Sequence, residues 1–243
     1  MRRPRIFLDD HIQTGAIYTL PEEASHHVAQ VMRMRVDEQL ILFNGQGGQF
    51  NAEITFVDKR RVDVKVGQHI LGDRESNCDI TLVQGITRGQ KMDYILQKAV
   101  ELGVKRIVPV MTEHGTVQLD NHRAEKRHQH WQKIIISACE QSGRNTLPVL
   151  IDVQNFESWI VQDKNEMKLI FHPETNHRLS EMESTISQLT LLIGPEGGFS
   201  QHEYELAQEN GCQAISLGPR ILRTETAAVA AITACQTHWG DMY

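Results

Sequence analysis

Two short stretches carry the residues best able to handle a ligand. Gly194-Pro-Glu-Gly-Gly-Phe-Ser200 follows the apolar run Leu191-Leu-Ile193, and Gly218-Pro-Arg-Ile-Leu-Arg-Thr-Glu-Thr-Ala227 follows Ile215-Ser-Leu217. Three glycines and one proline within residues 194–198 allow the backbone to approach a flat ligand closely, because no Cβ stands in the way. Ser200 reads as a helix N-cap with Glu203 at the capping-box position, and Thr224 as a cap for the last helix. Arg220 and Arg223 stand three residues apart just before that helix. Either loop alone could be a structural turn. Two successive strand exits of the form Ile/Leu-Gly-Pro favour a site.

The loops do not match the common nucleotide or hydrolase signatures. No G-x-G-x-x-G follows the first strand of the alternating region, and no G-x-x-x-x-G-K-[ST], G-x-S-x-G or H-E-x-x-H occurs. Of the twelve histidines, His122, His128 and His130 are the best metal candidates. Residues 128 and 130 are two apart on a helix and point to different faces, so these side chains read as solvated and no metal is expected. Cys78, Cys139, Cys212 and Cys235 are far apart and form no C-x-x-C pair, which argues against a zinc ribbon or a disulfide framework. They read as small buried hydrophobes.

The elements that must position these residues fall into two patterns. Up to about residue 71 the chain reads as short strands, at Ile6–Leu8, Ala16–Leu20, Leu40–Phe43, Phe50–Val57 and Arg61–Val66, interrupted by one helix from Pro21 to Met34. That combination suggests a small β-barrel. From residue 72 strands alternate with helices. The strands are expected at Ile80–Gln84, Arg106–Val110, Leu150–Asp152, Met167–Phe171, Thr190–Ile193 and Ala214–Leu217, and the helices at Lys91–Leu102, Ala124–Gln141, Phe156–Gln162, Gln201–Glu209 and Glu225–Thr237. Alternation of this kind implies an α/β fold with a mostly parallel, doubly wound sheet. The expected domains are therefore 1–71 and 72–243. Open sheets of this class bind ligands outside the C-terminal ends of their strands, where both glycine loops fall.

Length and composition agree with this division. The chain has 243 residues and 27.7 kDa, 40% of its residues are hydrophobic, and its mean hydropathy is −0.38. No stretch approaches the roughly 20 apolar residues needed to span a bilayer, and no apolar run follows the first arginines, so a cytoplasmic location without membrane attachment is expected. The net charge of −6 argues against a nonspecific nucleic-acid coat. The excess is uneven, however: residues 1–71 hold nine Lys/Arg and nine Asp/Glu, leaving the whole deficit to the remainder. Arg2, Arg3 and Arg5, then Arg33 and Arg35, then Lys59, Arg60 and Arg61 form three basic clusters, either solvated surface or a face for a phosphate backbone.

Four segments in order, Gly85-Ile-Thr-Arg-Gly-Gln-Lys-Met-Asp-Tyr-Ile-Leu-Gln-Lys-Ala-Val-Glu-Leu-Gly103, Cys139-Glu-Gln-Ser-Gly-Arg-Asn145, Leu192-Ile-Gly-Pro-Glu-Gly-Gly198 and Leu217-Gly-Pro-Arg-Ile-Leu-Arg-Thr-Glu-Thr-Ala227, resemble the RsmE family of ribosomal RNA methyltransferases. Arg3-Pro-Arg-Ile-Phe7 extends the resemblance over essentially the whole chain. The resemblance implies an N-terminal PUA-like, RNA-binding β-barrel at 1–71 and a SPOUT methyltransferase domain at 72–243. It also implies a C-terminal trefoil knot holding S-adenosyl-L-methionine, a homodimer, and methylation of N3 of one uridine in 16S rRNA of the small ribosomal subunit. On that basis Phe171, His172, Ile193, Gly194, Glu196, Gly197, Gly198, Leu217, Gly218, Ile221, Leu222 and Thr226 are the expected cofactor contacts. His172 could equally be an ordinary loop histidine. Arg220 or Arg223 would stabilise charge on the uracil oxygens and Glu196 or Glu225 would take the N3 proton. Arg223 and Glu225 could instead simply pair with each other. Arg3, Arg5, Arg33 and Arg35, with Arg88, Lys91 and Arg144 nearer the chemistry, are the expected RNA contacts. A SPOUT enzyme acting on another RNA, such as transfer RNA, and a non-catalytic RNA-binding protein are the alternatives.

Overall fold

The computed structural model describes residues 3–72, 74–115, 120–165, 167–172, 175–182 and 185–242. The chain divides into two compact units, one formed by residues up to Glu75 together with Cys139–Leu147, the other by Ser76–Ala138 and the chain from Pro148 onward.

The first unit is built on five strands, β1 (Arg5–Phe7), β2 (Ile17–Thr19), β3 (Gln39–Phe43), β4 (Gln49–Val57) and β5 (Val62–Ile70), in the order β1-β3-β4-β5-β2. Only β1 and β3 run parallel; the other neighbours are antiparallel. The alternation in β4 buries Phe50, Ala52 and Ile54 on one face, where they meet Leu40, Leu42, Val62, Val64 and Val66. Two register shifts in β4, at Phe50/Ala52 and Ile54/Phe56, curl the sheet around this core. The helix expected over residues 21–34 is shorter and changes winding. α1 (Glu22–His26) passes into a π-helical turn, His27–Val31, and Arg33 takes a positive φ of 53°. Its Val28 is buried in the same core.

The segment 139–147 reads from the sequence as part of the large domain, yet its contacts lie with the small one. The Glu140 carboxylate accepts the Phe7 N–H at 3.0 Å, and Asn145 donates to the Gly72 carbonyl at 3.0 Å. Arg5 donates to the Arg144 carbonyl at 3.1 Å and to Asn145 Oδ1 at 2.6 Å. Arg144 is 3% exposed and lays Nε on Glu75 at 3.0 Å, with a second bond from Nη2 to the other carboxylate oxygen.

The second unit carries β6 (Asp79–Gly85), β7 (Arg106–Met111), β8 (Val149–Leu150), β9 (Gln154–Asn155), β10 (Lys168–Phe171), β11 (Gln188–Ile193) and β12 (Cys212–Ile215), all paired in parallel. The order is β12-β10-β11-β6-β7-β8, with β9 also on β7. Its helices are α2 (Lys91–Glu101), α3 (Asn121–Ser142, whose end enters the first unit), α4 (Phe156–Gln162), α5 (Gln201–Glu209) and α6 (Thr224–Trp239). Val83, Val108, Ile170 and Leu192 meet Phe156, Trp159, Ile160 and Ala207 of α4 and α5. The alternate residues Leu82, Leu169 and Leu191 are equally buried, so both sheet faces are covered, as a parallel sheet requires. α2 and α6 pack together, and α6 also lies on β11. The four cysteines are buried, and burial pushes the Cys78 thiol up to about 11 and those of Cys139 and Cys212 up to about 12. Among the described residues no helix is long and apolar enough to cross a membrane.

The Arg144–Glu75 pair yields a stability prediction. Arg144→Leu leaves the buried Glu75 carboxylate facing an apolar chain and should lower unfolding free energy by about 3–5 kcal/mol, whereas Arg144→Leu with Glu75→Leu should recover most of the loss. Denaturant titration checks both, and a loss under about 1 kcal/mol for the single variant would exclude a stabilising role for the pair.

Candidate functional site

The sheet order sets the location. From β6 the chain moves outward to β7 and β8, while β11 returns on the other side of β6, so the exits of β6 and β11 diverge at a switch point. Gln84 pairs in register with Ile193, which places Gly85 beside Gly194. A Cβ on Gly85 would lie 2.5 Å from Pro195 Cδ and 2.6 Å from Pro195 N. Only glycine allows the two exits to press together in this way.

Beyond Gly194 the loop turns on Gly198, which takes φ +70°, and enters α5 through a complete capping box. Ser200 Oγ accepts from Glu203 N at 3.2 Å and the Glu203 carboxylate accepts from Ser200 N at 2.9 Å. The other Glu203 oxygen accepts the Glu113 N–H at 2.8 Å, bringing the β7 exit alongside. There His114 Nδ1 lies 3.1 Å from the Gly197 carbonyl. Thr224 departs from its expected capping role. α6 has no side-chain cap, and the Thr224 hydroxyl instead donates to the Gly194 carbonyl at 2.6 Å.

These loops surround a cavity of about 530 Å³, within the range of small-molecule sites, lined by Phe171, His172, Ile193 and Gly194–Phe199 on one side and Ile221–Thr224 with Ala227 on the other. An adjoining recess of about 100 Å³ shares Phe171, His172, Ile221, Leu222 and Ala227, and adds Leu217, Gly218 and Arg220. Of the expected cofactor contacts, Phe171, His172, Ile193, Gly194, Glu196, Gly197, Gly198, Leu217, Gly218, Ile221 and Leu222 thus converge, and Thr226 does not. Thr226 is exposed on α6, one residue from the Ala227 that does line the cavity. The His172 ring packs on Tyr204, with centroids 4.6 Å apart. Pro173 lies outside the described residues.

The charged candidates separate clearly. Arg223 lines the cavity and Arg220 its recess; both are exposed, and neither side chain makes an ion pair among the described residues. An Arg223–Glu225 pair is therefore absent from the structure. One Glu225 oxygen is buried with no hydrogen-bond partner among the described residues. Glu196 behaves differently. Burial opposes its ionisation, but the hydrogen bond from Lys91 Nζ at 3.0 Å and the backbone N–H groups of Glu196 and Arg88 outweigh it and hold the carboxyl below the ordinary glutamate range. A carboxylate stabilised in this way is a weaker base, and its bonds to Lys91 and to the Arg88 N–H tie the β6–α2 loop to the 194–199 loop.

Among the expected RNA contacts, Arg33 and Arg35 are exposed and make no side-chain ion pair among the described residues. Arg3 is exposed and donates to Asn51 at 3.0 Å. Arg5 is half-buried, held by the contacts given above and stacked over Phe43 at 4.8 Å. Arg144 is inaccessible to a phosphate because Glu75 already occupies its guanidinium. Arg2 lies outside the described residues. In the third basic cluster Arg61 is spent on Asp63 at 2.8 Å. His128 reaches the Leu150 carbonyl and His130 reaches Asp93, and among the described residues no group of three His, Cys, Asp or Glu could hold a metal.

Sequence reasoning missed Gln84 and His114. Gln84 is a polar side chain directly after the mainly apolar run Ile80–Val83, and His114 follows another strand exit. Each carried a signal, but neither belongs to a recognisable motif.

Comparison with known proteins finds two family models, one described as an RNA methyltransferase domain over residues 74–236 and one as an RNA methyltransferase PUA domain over residues 20–67. Ribosomal RNA small subunit methyltransferase E of Buchnera aphidicola subsp. Acyrthosiphon pisum is 37% identical over 239 residues, covering 98% of this chain and 94% of that protein. The protein of the same name from Bacillus subtilis is 32% identical, covering 92% and 91%. The crystal structure of a ribosomal RNA small subunit methyltransferase E from Neisseria gonorrhoeae bound to S-adenosyl methionine superimposes with a TM-score of 0.92 at 40% identity, over 100% of both chains.

The Lys91–Glu196 contact can be tested by titration. Lys91→Met should move the Glu196 carboxyl upward, toward or above its ordinary value, because burial then acts with one opponent fewer. Carbon-detected NMR of the side-chain carboxyl would follow the shift, and an unmoved titration would show that Lys91 does not hold Glu196.

Proposed function

Since the chain belongs to the family of ribosomal RNA small subunit methyltransferase E proteins, we propose that it methylates N3 of a specific uridine in 16S rRNA of the small ribosomal subunit, using S-adenosyl-L-methionine. The observation that carries this reading is the shared cavity into which both glycine loops and Arg223, without an ion pair among the described residues, converge. When bound, S-adenosyl-L-methionine supplies an electrophilic methyl group on a sulfonium. The residues present suit it. Backbone groups of Gly194, Gly197, Gly198 and Gly218 can meet a flat purine without side-chain obstruction, and Leu217, Ile221 and Leu222 supply apolar walls.

Arg223, which lines the cavity, and Arg220, which lines the recess, would stabilise the negative charge that develops on the uracil carbonyl oxygens as N3 loses its proton. Of the two expected acceptors, Glu196 is tethered by Lys91, and Glu225 lines neither the cavity nor its recess, so neither is assigned the N3 proton. Positioning supplies most of the acceleration. The target base has to leave its stack to reach the cavity.

The finer parts of this reading are a homodimer, a trefoil-knotted C-terminal region, a cytoplasmic location and an RNA-binding role for residues 1–71. The return of Thr224 onto the Gly194 carbonyl supports a chain that passes beneath the 194–199 loop. Ile221, 88% exposed beside the cavity, supports burial against a second copy.

Incubation with labelled S-adenosyl-L-methionine and undermethylated small subunits, free 16S rRNA or transfer RNA, followed by nucleoside analysis, decides the function. N3-methyluridine is expected from small-subunit RNA. Label in transfer RNA alone would redirect the substrate, and no label anywhere would leave an RNA-binding protein. Charge reversal of Arg33 and Arg35 should reduce the slope of log affinity for small subunits against log salt by about 1.5–2, with cofactor affinity unchanged. An unchanged slope would remove both from the phosphate contacts.

A further inference from the structure

The residue beneath the two glycine loops is a fully buried glutamine that no motif explains. Gln84 is 0% exposed on β6, and its Nε2 donates to the Gly85 carbonyl at 3.0 Å and to Thr224 Oγ1 at 3.1 Å. The carbonyl oxygens of Ile193 and Gly194 both lie 3.4 Å from the same nitrogen. Thr224 completes a relay, because its hydroxyl accepts from Gln84 and donates to the Gly194 carbonyl. The amide orientation is fixed by chemistry: reversed, its oxygen would face three carbonyl oxygens. In the observed orientation the Gln84 Oε1 is buried without a hydrogen-bond partner among the described residues. An apolar side chain of similar shape would avoid that cost, so the contribution of Gln84 lies with its nitrogen.

That nitrogen joins three pieces of chain distant in sequence. They are the β6 exit, which leads to Arg88 and Lys91, the β11 exit, which leads to the glycine loop, and the first turn of α6, which follows Arg223 and carries Glu225. We infer that Gln84 is a positioning residue for the reaction: through Thr224 it holds the Gly194 carbonyl and the start of α6 in the arrangement that binds the cofactor. Gln84 lines neither the cavity nor its recess, so it acts through these groups and not by contact. This inference rests on the reading of the cavity as the S-adenosyl-L-methionine site.

The test is isothermal titration of S-adenosyl-L-methionine into the full chain, with thermal melting alongside. Gln84→Met and Thr224→Val should each weaken binding by about tenfold or more, and the double variant should be no more than about twofold weaker than the worse single, since both break one relay. Thr224→Ser, which keeps the hydroxyl, should stay within about threefold of the unsubstituted chain. If Gln84→Met does not fold, the two Thr224 variants still decide. Equal affinity of Thr224→Val and Thr224→Ser would overturn the relay. So would lowered melting temperatures with unchanged binding, or losses that multiply in the double variant. No binding by the unsubstituted chain would instead overturn the reading of the cavity, and the inference with it.

Discussion

The parallel pairing of β6 with β11 is the constraint on which the rest of the ligand end depends. Its register sets Gln84 against Ile193 and brings Gly85 and Gly194 level at the point where the sheet changes direction. Parallel strands buried on both faces have no solvent side on which to slip. A shift of one residue would exchange the sets containing Leu82 and Val83, and with them every contact to the covering helices. The strength of this register permits a loop with little side-chain packing of its own. The 194–199 loop gains its order instead from backbone approach to Gly85, from the Ser200–Glu203 capping box, and from the return of Thr224. A ligand site made of peptide groups is possible only where something other than its own side chains fixes it.

The small unit solves a related problem with charge. Its sheet is curled by two irregularities in one strand, and β1, only three residues long, needs support beyond its pairing with β3. The 139–147 segment supplies that support through Arg5, Glu140, Arg144 and Asn145, with Glu75 completing a buried ion pair. A buried pair of this kind is costly to assemble from solvent and costlier to leave half-made, so it favours one placement of the segment over many similar ones. Two arginines that resemble nucleic-acid contacts in sequence thereby become internal fastenings.

What the sequence made legible, and what it did not, divides along the range of the interactions involved. Periodicity located the long helices and every strand but the two-residue β9 to within a few residues, and the Ser200–Glu203 capping box is readable because both members lie within one turn. The glycine loops could be recognised because their composition is itself the property required. Thr224 also looked like a local cap, but a partner 30 positions away competes for the same hydroxyl. Glu196 looked like a free carboxylate until Lys91, 105 positions away, reached it. Arg144 and Gln84 were misread or passed over for the same reason, since burial and distant partners determine their roles. The helix at 21–34 failed differently: its apolar spacing is helical throughout, but the chain widens to a π-turn at His27 and then reverses at Arg33.

The accounting of arginines bears on how an acidic chain can act on RNA. Arg5, Arg61 and Arg144 are engaged with protein groups, whereas Arg3, Arg33, Arg35, Lys59, Arg60, Lys65 and Arg74 in the small unit and Arg88, Arg220 and Arg223 in the large one are exposed cations without an ion pair among the described residues. Each phosphate neutralised contributes less than one unit to the salt dependence of binding, so a handful of cations gives only modest nonspecific affinity. On the proposed reading, in which one uridine is distinguished from the rest of the cell's RNA, that weakness is useful, because tight nonspecific binding would hold the chain on the wrong sites. Discrimination would then come from the shape of the RNA presented and from the fit of the extruded base against the cavity. On that reading the exposed cations set where the chain docks, and the divergence of two adjacent strands sets what it can do there.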